Sequence, residues 1–165
     1  MNIILIGMRG AGKTTIAKLL SKKLQKEVIE TDDLVAKKAG MTIVDIVKKN
    51  GWDYFRNLES EVIQDIAEKN NIIISCGGGV VTRQKNKDTL KQNGKVFWLQ
   101  VSVATLLKRI GNDQNRPSLT GKPQKEDMEE TLKNRYDLYK NTSNVIIDTE
   151  KLSKKEIAHK IIESL

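Results

Sequence analysis

Short apolar runs alternate along the chain with longer stretches in which apolar residues recur at every third or fourth position. Residues 3–6, 72–75, 95–101 and 145–147 read as buried strands, and 27–31 as a weaker one. The spacing predicts helices over 13–25, 33–39, 43–50, 52–69, 103–110 and 126–139. In the first helix Ile16, Leu19, Leu20 and Leu24 form the apolar face. Ser153 and Glu156 make a capping box that opens a last helix, with Ile157, Ile161, Ile162 and Leu165 on its inner side. From 111 to 124 the chain is polar and holds both prolines, Pro117 and Pro123, so a mobile loop is expected there.

Apolar strands separated by helices imply an α/β fold, a parallel sheet of about five strands flanked by helices on both faces. The length of 165 residues suits one domain, spanning 1–165. Sheets of this kind bind ligands at the carboxyl ends of their strands, and the candidate chemistry lies at those ends.

Gly7-Met8-Arg9-Gly10-Ala11-Gly12-Lys13-Thr14 matches G-x-x-x-x-G-K-[ST], between a predicted strand and a predicted helix. Glycines let backbone N–H groups turn inward around phosphate oxygens, and the helix N-terminus adds positive partial charge. Gly10, Ala11, Gly12, Lys13, Thr14 and Thr15 are therefore expected to hold ATP. Lys13 reaches the β- and γ-phosphates and Thr14 ligates Mg²⁺. A GTPase switch would need Asp-x-x-Gly and Asn-Lys-x-Asp, and neither occurs.

Further features suit a small-molecule acceptor. Glu30-Thr31-Asp32 ends the weak strand; one carboxylate can hold a water of the Mg²⁺ shell, and the other can take the proton of an acceptor hydroxyl. Arg56 opens the long helix, Gly77-Gly78-Gly79 follows a strand directly, and Arg116 lies in the polar loop, where it could close over ATP. Arg135 precedes Tyr136-Asp137-Leu138-Tyr139.

Charge narrows the partners. With 29 Lys and Arg against 21 Asp and Glu the net charge is +8, which favours anionic ligands. The lysines come in scattered pairs and aromatics make up only 4%, so a stacking platform for nucleic acid is not expected. The single cysteine, Cys76, suits a reducing cytoplasm, and the apolar run at the start is too short for a membrane span.

Taken in order, these pieces resemble the shikimate kinases: the phosphate loop, Glu30-Thr31-Asp32, Gly40-Met41-Thr42-Ile43, Phe55-Arg56-Asn57-Leu58-Glu59-Ser60-Glu61, Gly77-Gly78-Gly79-Val80-Val81, Arg116-Pro117 and Arg135 to Tyr139. The resemblance implies a P-loop kinase three-layer sandwich with a mobile lid near 112–122 and an acceptor-binding helical region near 33–61. It implies phosphorylation of the 3-hydroxyl of shikimate by ATP with Mg²⁺. Asp32 would bind the ring hydroxyls and act as base, joining Lys13 and Arg116 as catalytic residues. Arg56 and Arg135 would hold the carboxylate, the run Gly77, Gly78 and Gly79 would meet the acceptor, and Arg109 would lie against adenine. Thr14 and Glu30 are the metal candidates, and the enzyme is expected to be a cytoplasmic monomer with no nucleic-acid or membrane partner. Two departures stand out: Glu30 where the family often has Asp, and Trp52 where many members have Glu. Trp52 would either border the acceptor pocket or pack in the core, and Trp98 is expected to lie far from the acceptor. A kinase for gluconate or a nucleoside monophosphate, a non-catalytic nucleotide switch and a basic nucleic-acid binder are the rival readings.

Overall fold

The structure, a computed structural model, describes residues 1–112 and 117–165. Five strands form one parallel sheet: β1 (Asn2–Ile6), β2 (Val28–Glu30), β3 (Ile73–Ser75), β4 (Gly94–Gln100) and β5 (Val145–Asp148), in the spatial order β2-β3-β1-β4-β5. The helices are α1 (Lys13–Leu24), α2 (Thr31–Ala39), α3 (Ile43–Asn50), α4 (Trp52–Ala67), α5 (Gln84–Asn93), α6 (Val103–Ile110), α7 (Gln124–Thr142) and α8 (Lys154–Glu163). This is the expected α/β architecture.

The inner strands are largely apolar because helices cover both faces of the sheet, whereas in the edge strand β5 only Ile147 is buried. Ile3, Ile4, Leu5 and Ile6 of the central strand are wholly buried. A small second core of Val35, Ile46, Phe55 and Val62 joins α2, α3 and α4 into a helical unit beside the sheet, where the acceptor region was expected. Ser153 and Glu156 form the capping box of α8. Among the described residues, no helix is long and apolar enough to cross a membrane.

Three elements differ from expectation. Helix α5 has no counterpart in the sequence reading, because only Asn86 and Leu90 of its ten residues are buried and no apolar stripe marks it. Helix α7 runs from Gln124 to Thr142, beyond the expected 126–139 at both ends. Helix α2 starts at Thr31 rather than at Asp33, directly on the end of β2.

The register places the chemistry. Leu5 pairs with Ser75 across β1 and β3, and the Cys76 N–H donates to the Leu5 carbonyl at 3.0 Å. The loop after β1 and the glycine run after β3 therefore leave the sheet side by side.

Candidate active site

The turn after β1 bends only because glycines stand in it. Gly12 caps α1 with φ 94°, a left-handed conformation that other residues avoid. At Gly7 a Cβ would stand 2.8 Å from the Leu99 carbonyl oxygen. Lys13 folds back over the loop, and its Nζ donates to the carbonyls of Gly7 at 2.9 Å and Met8 at 2.8 Å. Its ammonium is thus held at the loop's mouth, largely buried.

Thr14 and Glu30 meet at that mouth. The Thr14 hydroxyl donates to Glu30 Oε2 at 2.6 Å, and Lys18 lies 3.9 Å from Glu30 Oε1. Among the described residues, no group of three or more His, Cys, Asp and Glu side chains could cage a metal. One hydroxyl and one nearby carboxylate are instead the hard oxygen donors that fit Mg²⁺, which keeps several waters and takes its other ligands from phosphates.

The glycine run is the centre of the site: Gly77 and Gly79 make room for charged side chains, and Gly78 lies beside another. A Cβ on Gly77 would stand 2.5 Å from Asp32 Oδ1 and 3.0 Å from Glu59 Oε2. A Cβ on Gly78 would lie 3.4 Å from Arg135 Nη1. A Cβ on Gly79 would overlap the guanidinium of Arg56. Three bare Cα positions thus gather two carboxylates and two guanidiniums from α2, α4 and α7.

Neighbouring groups fix the run in place. The Gly77 N–H donates to the buried Thr31 hydroxyl at 2.9 Å, tying it to the end of β2. The Tyr139 hydroxyl donates to the Gly78 carbonyl at 2.6 Å, and burial pushes its pKa up, which keeps the phenol a donor. Arg135 also hydrogen-bonds with this phenol. Arg56 Nη1 donates to Glu59 Oε1 at 2.8 Å. Burial pushes the Glu59 carboxyl up, against the opposing pull of Arg56. Burial pushes the Cys76 thiol up to about 12, so it is no nucleophile at neutral pH.

Two clefts, each about 520 Å³, open on either side of Gly78. Residues 10–15, Glu30, Asp32 and Arg109 line the first, and Arg109 Nη1 reaches the Gly10 carbonyl at 3.3 Å. Arg56, Gly79, Arg135 and Trp52 line the second, with Pro117, Leu119 and Lys122 from the expected lid. Gly78 and Arg9 belong to both walls.

The sequence-predicted residues therefore sort into a phosphate side and an acceptor side, with two corrections. Gly77 lines neither cleft; it lies behind the run, where its missing side chain admits Asp32 and Glu59. Trp98 is not remote: its ring stacks on Tyr139 at 5.5 Å and 28°, one residue away from Gly78. Trp52 satisfies both of its readings, packing against the second core and lining the acceptor cleft. Arg116, the expected lid arginine, lies outside the described residues. His159 is exposed on α8, 3.2 Å from Glu163, away from the chemistry.

Sequence reasoning gave no role to Arg9, Glu59, Lys48, Asp127, Met128 or Tyr139. Glu59 was within reach of a spacing argument, since residues three apart on a helix share a face. Asp127 accepts from the Leu119 and Thr120 N–H groups at 3.1 and 2.8 Å and so ties this described part of the 117–123 loop to α7. That pairing crosses from loop to helix and has no local signature.

Comparison with known proteins agrees with this geometry. A family model described as "Shikimate kinase" matches residues 9–165. A shikimate kinase from Dehalococcoides mccartyi is 40% identical over 99% of this chain and 93% of its own length. Shikimate kinase 2 from Photorhabdus laumondii is 42% identical over 88% of this chain and 85% of its own length. The solved structure of a shikimate kinase from Acinetobacter baumannii in complex with shikimate superposes with a TM-score of 0.94 at 33% identity, covering 99% of this chain and 91% of that one.

Proposed function

The chain belongs to the shikimate kinase family, and we propose that it passes the γ-phosphate of ATP to the 3-hydroxyl of shikimate, giving shikimate 3-phosphate and ADP on the route to chorismate and the aromatic amino acids. The observation that carries this reading is the glycine run, which seats Arg56 and Arg135 against Gly79 and Gly78 on one wall of the acceptor cleft. Two guanidinium forks on one wall suit a single carboxylate, which each can meet with paired N–H donors.

The reaction needs positioning and charge stabilisation more than covalent help. Arg56 and Arg135 hold the carboxylate and so fix the ring. Asp32, on the phosphate side of Gly78, accepts the proton of the attacking hydroxyl. Lys13, pinned at the loop's mouth, stabilises charge on the transferring phosphoryl group. Arg116 would add to this from the lid, and Arg109 would lie against the base. Mg²⁺ arriving with ATP would neutralise the β- and γ-phosphate oxygens; Thr14 and Glu30 are the residues that would hold it. Lid closure over 112–122 would exclude water from the phosphoryl group. We take the enzyme to be a cytoplasmic monomer; its single unpaired cysteine suits a reducing compartment.

A coupled ADP-release assay over shikimate, gluconate and nucleoside monophosphates tests the proposal. Shikimate should be turned over far faster than the others; faster turnover of gluconate or a monophosphate would overturn it.

A further inference from the structure

Trp52 opens α4, one helical turn before Arg56. The guanidinium carbon of Arg56 lies 5.4 Å from the centre of the indole and 5.0 Å from the centre of the Phe55 ring. The two rings meet edge to face, 5.6 Å apart and at 87°. Phe55 is fully buried in the second core. Trp52 packs on that core and faces the acceptor cleft as well.

Consider what orients Arg56. Glu59 Oε1 takes Nη1 at 2.8 Å. One such bond fixes one end of the fork. Behind the guanidinium lies the bare backbone of Gly79, close enough that a Cβ there would overlap it. The Phe55 and Trp52 rings supply its aromatic contacts, and Trp52 is the one that also lines the cleft. A guanidinium is planar and weakly hydrated, so an aromatic ring beside it attracts it while displacing little bound water. An indole bordering the cleft also lowers the local dielectric, which strengthens a charge-assisted hydrogen bond beside it.

We infer that Trp52 is a positioning residue for phosphoryl transfer: its indole holds the Arg56 guanidinium in the orientation from which it meets the acceptor's carboxylate. The inference rests on the acceptor reading above. The wild-type enzyme checks that premise first; if it does not turn over shikimate, the acceptor assignment falls and this role falls with it.

Steady-state kinetics on two variants then test the role itself. Trp52→Phe keeps a ring and should leave the KM for shikimate within about twofold of wild type. Trp52→Met keeps apolar bulk without the ring, and should raise that KM by about tenfold while kcat and the KM for ATP stay put. In an Arg56→Lys background the same Met substitution should add no more than about twofold, because the planar partner is gone. Equal shikimate KM values for the Phe and Met variants would overturn the inference. So would a fall in kcat without a change in KM, the mark of a merely structural role.

Fluorescence gives a second test that needs only the milder variant. Shikimate binding to Arg56 should change the emission of the indole beside it, so the acceptor-induced change in wild type should exceed that in Trp52→Phe. Equal changes, arising from Trp98 alone, would overturn the assignment even if Trp52→Met did not fold.

Discussion

The phosphate side and the acceptor side of this site are built by opposite means. The phosphate cradle is one continuous loop between β1 and α1, made of backbone, with Lys13 pinned to its own loop's carbonyls. The acceptor wall is made of side chains from α4 and α7, Arg56 and Arg135, that meet at the neighbouring glycines Gly79 and Gly78. The first design needs only local conformation. The second needs the whole fold in register, because no two of its charged groups on different helices are neighbours in sequence. Damage should therefore differ in kind: in the cradle it should lower kcat, and in the wall it should raise the KM for shikimate.

The largest effect expected is at the cradle. Lys13→Ala should cost on the order of 10²–10³-fold in kcat, since Lys13 acts on charge developed in the transition state. Circular dichroism should remain native; near-normal turnover by a folded variant would erase the contrast. Asp32→Asn should cut kcat by on the order of 10²-fold even at saturating Mg²⁺, because the proton acceptor is gone.

Next come the guanidiniums. Arg56→Lys and Arg135→Lys keep the charge and lose the fork, and each should raise the KM for shikimate by about 10- to 100-fold with the KM for ATP little changed. Unchanged values in both would show that the wall does not read a carboxylate. Gly79→Ala should mimic Arg56→Lys, since the added methyl overlaps the guanidinium. A Gly79→Ala enzyme with normal KM would break the link between the glycine run and the arginine.

A smaller and more local effect is expected at Glu30, beside Thr14 on the phosphate side. Glu30→Gln should raise the Mg²⁺ concentration needed for half-maximal rate by a few-fold, roughly the scale of one weakened outer-shell contact, whereas Glu30→Asp should keep most activity. A Mg²⁺ titration separates the variants, and identical curves for Glu30→Gln and wild type would leave Glu30 a strand-end residue.

The same contrast explains what could be read from the sequence. Gly7 to Thr14 carry their conformation in one octapeptide, and the structure has the expected strand, glycine turn and helix there. The inner strands were legible because burial on both faces makes them largely apolar. Helix α5 was not, since its sequence is polar and only Leu90 and Asn86 reach inward. Arg56, Arg135 and the glycines were identified through resemblance to a family, and geometry then supplied the reason for each glycine. The parts that stayed hidden are contacts between distant segments. Asp127 holds the loop at Leu119 and Thr120, and Tyr139 joins Trp98 to Gly78. No local spacing rule links Trp98 to a loop it reaches only by stacking through a second aromatic residue.

Arg56 and Arg135 are proposed to recognise the acceptor by its carboxylate. The most direct test compares kcat/KM for shikimate with that for its neutral methyl ester, in wild type and in Arg135→Lys. Wild type should lose on the order of 10²-fold on the ester, the scale of two charge-assisted hydrogen bonds, and Arg135→Lys should lose markedly less because part of the recognition is already gone. Equal kcat/KM for acid and ester in wild type would contradict the account.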